Sequence, residues 1–217
     1  MNEKFNHYRK RFWHFIWYDE SGWSWLANLI VAFLVIRFIV YPLLGLILGT
    51  SFPIVAVVSE SMQHDLHQGE LCKKQFSEFR ESFDNYWLTC GTWYEEHGIT
   101  KEQFQHFPFQ QGFSKGDVII LWRAHEKNLQ VGDILIFQGS RPQPIIHRIV
   151  KIWQEGNTFY YQTKGDHNSD SITGEGGENK ISQDRIYGQG LLRLPYVGWL
   201  KILFVDTVKP LGWDIQR

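Results

Sequence analysis

The chain has 217 residues, 22 Lys and Arg against 23 Asp and Glu, a formal net charge of -1, and 43% hydrophobic residues. That length holds one soluble domain plus a membrane segment rather than two large domains. The near-neutral charge argues against nucleic acid as the main partner, because there is no basic excess to meet phosphates. The 10 Trp and 16 Phe are many for this length, and such aromatics both fill cores and collect at membrane interfaces.

Residues 1–24 mix basic and aromatic side chains, with Lys4, Arg9, Lys10 and Arg11 ahead of Trp13, Phe15, Trp17 and Tyr18. This suits a cytoplasmic or interfacial helix lying along a membrane surface. Residues 25–49 are almost wholly apolar, broken by Asn28, Arg37 and Pro42. A run of that length crosses a hydrocarbon core of ~30 Å at about 1.5 Å per residue. It is too long for the apolar region of a cleavable signal peptide. Arg37 is the awkward residue, since a mid-span charge costs roughly 2.5–3.5 kcal/mol on insertion scales.

No Lys or Arg stands between Phe38 and Cys72, whereas the N-terminal flank is basic. The positive-inside rule therefore predicts a single-pass protein of the cell membrane, with the N-terminus cytoplasmic and residues 50–217 extracytoplasmic. Ile54 to Val58 reads as a strand, and it delivers Ser59-Glu60-Ser61-Met62. Ser61 then lies at most ~45 Å from the end of the span even if the chain is fully extended. A serine hydroxyl needs a base and oxyanion donors before it can act as a nucleophile.

Residues 71–114 read as a partly helical insert. Phe76, Phe79 and Phe83 fall on one helical stripe, and Thr100-Lys101-Glu102-Gln103 fits a capping box opening a second short helix. Cys72 and Cys90 both lie here. On the extracytoplasmic side they are expected as a disulfide; two thiols packed as small hydrophobes is the alternative. His64 and His67 share a helical spacing but lack a full ligand set for a metal.

From Lys115 the chain turns to strands. Gly116-Asp117-Val118-Ile119-Ile120-Leu121 recurs as Gly132-Asp133-Ile134-Leu135-Ile136-Phe137, each a Gly-Asp turn opening an apolar run. Pro144 to Trp153, Thr158 to Lys164 and Arg185 to Leu194 complete a set of short strands. The predicted fold is mostly β, an N-terminal transmembrane helix followed by an antiparallel, barrel-like catalytic domain. The apolar tail Leu191 to Val205 carries Arg193, Pro195 and Lys201 and is not read as a second span.

His147 sits inside the β-branched run Ile145-Ile146-His147-Arg148-Ile149-Val150, and Thr163 to Asp170 forms an acidic loop behind the next strand. Serine, histidine and aspartate at strand ends are able to do acyl transfer, the imidazole taking the serine proton and a carboxylate fixing its tautomer.

The boxes Val57–Met62, Gly132–Ile136, His147–Val150 and Lys164–Asn168 stand in the order of the type I signal peptidases. They resemble the archaeal and endoplasmic-reticulum branch, in which histidine replaces the lysine base of the bacterial enzymes. Leu191-Leu192-Arg193-Leu194-Pro195-Tyr196 resembles that branch's C-terminal box. The resemblance covers residues 50–62 and 115–201 and leaves the insert outside. It implies a membrane serine endopeptidase that removes signal peptides after small residues, with neither metal nor other cofactor. By residue it implies Ser61 as nucleophile, His147 as base, Ser59 as an oxyanion donor and Asp166 as a required acidic residue.

Two departures stand out. His64 replaces a frequent proline two residues after Met62. The second aspartate usually follows the Gly-Asp pair by five or six positions, but Ile172 takes the six-residue offset and Asp170 is the nearest candidate. The carboxylate partner of His147 is thus left open between Asp166 and Asp170. The implied partners are preproteins carrying signal peptides, the lipid bilayer and the protein export channel. Two rivals are a catalytically inactive membrane-tethered β module that binds exported chains and a metal-dependent hydrolase using His64, His67 and His97.

Overall fold

The computed structural model describes residues 2–199 and 202–203. Of the expected apolar tail, Leu200, Lys201, Phe204 and Val205 lie outside them. The chain divides into two units, Met1–Ile47 and Leu48–Arg217.

In the first unit, α1 (Asn2–Tyr18) is followed by α2 (Gly22–Val35). Ser21 caps α2 by accepting from Ser24 N, and Ser24 Oγ donates to Phe15 O at 2.6 Å. Asn28 Nδ2 donates to Ile16 O at 2.8 Å. The polar residue that interrupts the apolar run thus satisfies a carbonyl left over at the end of α1. A π turn, Ile36–Val40, joins α2 to α3 (Tyr41–Leu48). Tyr41 N–H reaches Ile36 O across this widened turn. Pro42 has no N–H to donate and its ring crowds the preceding turn, which accounts for the bulge at that point. Gly22–Leu48 forms 27 consecutive helical residues, with an 18-residue stretch of mean hydropathy 2.5, and is long and apolar enough to cross a membrane.

The second unit is mixed, an antiparallel sheet carrying helices in its insert. Its elements are β1 (Ile54–Ala56), β2 (Glu70–Leu71), β3 (Lys74–Gln75), α4 (Phe83–Glu96) and α5 (Lys101–Gln105). They are followed by β4 (Val118–Trp122), β5 (Ile134–Phe137), β6 (Ile145–Glu155), β7 (Thr158–Lys164) and β8 (Ile186–Leu194). Six strands form one sheet in the order β1-β4-β8-β5-β6-β7, while β2 and β3 pair separately. All neighbours in the six-stranded sheet run antiparallel. Its edges, β1 and β7, do not pair with each other, so the sheet is open where a barrel-like closure was expected.

The repeated Gly-Asp motif has a single local cause. Gly116 and Gly132 adopt φ of +92° and +102°, which favours glycine. In each case the aspartate side chain accepts the backbone N–H three residues earlier, from Ser114 to Asp117 at 2.8 Å and from Gln130 to Asp133 at 2.9 Å. Two equivalent turns therefore launch β4 and β5. Val57, Met62, Phe113, Ile119, Leu121, Ile134 and Ile136 form one buried cluster, and Leu135, Phe137, Ile149, Tyr161 and Ile181 anchor another.

The insert packs its own cluster around Tyr86, Trp87, Cys90, Tyr94 and Phe104. The capping box at Thr100 is formed as expected, Thr100 and Gln103 bonding reciprocally. The helix expected across Phe76 and Phe79 is not: α4 begins only at Phe83, where Ser82 caps Asn85 N. Phe76, Phe79 and Phe83 still pack on the insert's cluster, so burial produced the apolar spacing without a helical backbone. Cys72 and Cys90 form a disulfide with their Cα atoms 5.7 Å apart.

Candidate active site

Ser59 and Ser61 lie in the turn that follows β1, and the turn is anchored from three sides. Val57 exchanges backbone bonds with Asp117 O (2.8 Å) and Gly116 N (2.9 Å), and Met62 O accepts from Phe113 N at 3.1 Å. From the opposite side His167 N donates to Ser61 O at 2.9 Å. Met62 itself is buried and accepts from Asp166 N through its sulfur at 3.4 Å. The two serine hydroxyls are 3.2 Å apart, Ser61 half-buried and Ser59 exposed.

His147, on β6 opposite Leu135, is buried. Its ring edge and the serine turn both face Gly165, where an added Cβ would lie 2.7 Å from His147 Nε2 and 2.8 Å from the Ser61 carbonyl oxygen. A glycine is needed there for that approach. The Ser61 hydroxyl bonds Ser59 rather than His147 in this state; bonds of this kind commonly tighten when substrate is present.

The carboxylate on His147 Nδ1 is Glu178, neither Asp166 nor Asp170. Glu178 is fully buried, and its oxygens also accept from Thr163 Oγ1 at 2.8 Å and Ile172 N at 2.6 Å. Three donors fix the carboxylate. With Nδ1–H donating to it, the neutral imidazole presents the Nε2 lone pair toward the Gly165 side.

How Glu178 arrives there explains why sequence spacing missed it. Glu178 N donates to Ile172 O at 2.9 Å while the Glu178 carboxylate accepts from Ile172 N. Residues 173–177 form an excursion that turns through Gly174 (φ +93°) and Gly176 (φ +68°). Glu178 thus returns beside the residue that holds the six-residue offset after the Gly-Asp pair. The legible signal was the glycine-rich run Gly174-Glu175-Gly176-Gly177 directly before an acid.

Asp166 does something else. Arg148 grips it with Nε at 2.9 Å and Nη2 at 2.7 Å, and both side chains are fully buried. His64 Nε2 (3.0 Å) and Tyr94 Oη (2.9 Å) complete its bonds. Burial alone would raise the Asp166 carboxyl, but the Arg148 guanidinium and the bonds from His64 and Arg148 hold it well below the usual carboxylate range. The remaining Arg148 donors go to the carbonyls of Pro108, Gly132 and Phe109. Asp170 is exposed, accepting from Trp93 Nε1 at 3.0 Å and from Ser171 N at 2.7 Å.

Lys164 is buried beside this network. Its ammonium donates to Gly165 O at 3.0 Å and lies 4.6 Å from the Tyr94 ring centre. Burial lowers its pKa to about 8 despite the attraction of Asp166 and Glu178.

The three histidines named for a metal site are not gathered. His64 is stacked on Tyr86 at 3.6 Å, His67 faces His167, and His97 stacks on Trp93 at 3.7 Å. Among the described residues no group of three or more His, Cys, Asp or Glu could hold a metal ion.

A serine turn, a buried imidazole and a buried carboxylate in this relation can carry out acyl transfer. No protein-family model matches the chain. Over 104 residues it is 31% identical to the signal peptidase complex catalytic subunit SEC11C of Homo sapiens and of Canis lupus familiaris, covering 46% of this chain and 54% of each relative. It is 30% identical over 102 residues to the catalytic subunit SEC11 of Yarrowia lipolytica, covering 45% of this chain and 59% of that one. This chain is a relative of signal peptidase catalytic subunits. It spans about half the length of the curated relatives it matches.

Proposed function

We propose that the chain is a membrane-tethered serine endopeptidase that removes signal peptides from exported preproteins. The observation that carries this reading is the juxtaposition of the Ser61 turn, His147 and Glu178 in a relative of signal peptidase catalytic subunits. Ser61 Oγ attacks the scissile carbonyl while His147 Nε2 takes its proton. Glu178 stabilises the imidazolium through Nδ1–H. The Ser59 hydroxyl, 3.2 Å from Ser61 Oγ, and the Ser61 backbone N–H stabilise the oxyanion in this mechanism. His147 then returns the proton to the departing amine, and water releases the acyl group by the same steps in reverse.

In this reading Asp166 is required through Arg148 and the serine turn rather than as the partner of the base. Gly22–Leu48 spans the cell membrane with α1 on the cytoplasmic side and residues 50–217 on the extracytoplasmic side. Bilayer-embedded preproteins delivered by the export channel are its substrates there. No metal or other cofactor has a part in these steps.

The test is to incubate the detergent-purified protein and its Ser61→Ala twin with a preprotein and sequence the new N-terminus. Cleavage after a small residue, resistant to chelator and absent in the twin, supports the proposal. Equal processing by both proteins sinks it. An inert wild type that still binds preprotein favours the inactive tethered module.

A further inference from the structure

Helix α4 places Tyr86, Cys90 and Tyr94 at intervals of four, on one buried stripe. All three act on the same short segment. Tyr86 Oη donates to Asp166 O at 3.0 Å and Tyr94 Oη to Asp166 Oδ1 at 2.9 Å. Cys90 is joined to Cys72, whose N–H donates to His167 O at 3.2 Å. The other side of that segment holds the nucleophile turn, through Asp166 N to Met62 and His167 N to Ser61 O. Burial and the neighbouring Asp166 charge push both tyrosine hydroxyls well above their ordinary pKa, so they remain donors.

We propose that α4 is a clamp on Asp166-His167, and that Tyr94 and Tyr86 are positioning residues for Ser61. The inference rests on the serine-protease reading above. The insert is then part of the catalytic apparatus, although its residues lie outside the boxes that carry the sequence resemblance. The segment it grips has one face on α4 and the other on the serine turn. Loss of a grip on one face is felt as a displacement on the other. Small misplacements of a reacting group cost rate without weakening substrate binding, up to roughly 100-fold for about 1 Å.

Tyr94→Phe and Tyr86→Phe remove single oxygens and leave the rings packed. Full-length variants should be assayed on a preprotein, with thermal midpoints measured alongside and assays run well below them. A drop in kcat of roughly 10- to 100-fold for Tyr94→Phe, with KM within about twofold of wild type, is expected. The paired change Cys72→Ser with Cys90→Ser should move kcat in the same direction. Leu88→Ala, on the exposed side of α4, should leave both constants unchanged.

A folded Tyr94→Phe variant with wild-type kcat would overturn the clamp, whatever its midpoint. So would a raised KM at constant kcat, because that is the mark of a substrate contact. Should Tyr94→Phe fail to fold, Tyr86→Phe and the serine pair are read by the same criteria. A wild type that cuts no preprotein overturns this inference together with the proposed function; a normal Tyr94→Phe overturns the clamp alone.

Discussion

Glu178 is the residue that separates this site from the one sequence spacing suggests. Its carboxylate is buried and takes donors from His147, Thr163 and Ile172. Glu178→Gln keeps the volume but replaces one acceptor oxygen with a donor, so the imidazole loses its orienting charge. Cleavage should fall by about 10³–10⁴ with little loss of fold. Asp170→Asn should stay close to wild type, since Asp170 is exposed and bonds Trp93. A ranking with Asp170 above Glu178 in preprotein assays would remove Glu178 from the site.

Asp166→Asn should instead act through stability, by about 3–5 kcal/mol, because it strands the buried Arg148. Chemical denaturation reads that directly. Ser59→Ala should cost roughly 10²–10³ in rate if it supplies one oxyanion donor.

At the scale of elements, the strands and turns were legible because their signals are local. The Gly-Asp turns, the β-branched run around His147 and the Thr100 capping box each depend on residues within a few positions. The serine turn and the His147 strand were likewise readable. Glu178 was hidden because its place depends on an excursion of residues 173–177 that returns the chain to Ile172. Spacing carries no record of such a return. The Phe76 and Phe79 stripe misled for a related reason, as a loop wrapped on a core can bury residues at helical intervals. Sheet closure was equally beyond local signals, because it depends on whether distant edges meet.

Lys164 provides a test at this scale. Its folded pKa is lowered from the ordinary 10.5 to about 8, so between those values the unfolded chain binds the extra proton. Stability should therefore rise as pH climbs from 8 toward 10.5, by roughly 3 kcal/mol if nothing else titrates. Lys164→Met should flatten that rise; an unchanged pH profile of urea unfolding would show that the buried ammonium carries no such strain. The Cys72–Cys90 crosslink closes a loop with a sequence separation of 18. Chain-entropy arithmetic gives it about 3 kcal/mol. Replacing both cysteines by serine should lower the same unfolding free energy by about that amount.

For the whole molecule, the span and the site have to agree. Gly22–Leu48 is about 40 Å long at 1.5 Å per residue, enough to cross with some tilt. In sealed vesicles with the cytoplasmic face outward, added protease should remove α1 and spare everything beyond Thr50. Digestion of the β body from that face would contradict the orientation.

In the proposed mechanism Ser61 and His147 act as one unit on preproteins. Steady-state cleavage of a preprotein by Ser61→Ala, His147→Ala and the double variant decides whether they do. The expected result is that each single change abolishes most of the activity and that the double variant is no slower than either, because a unit is lost with its first member. Near-normal cleavage by His147→Ala, or losses that multiply in the double variant, would contradict it.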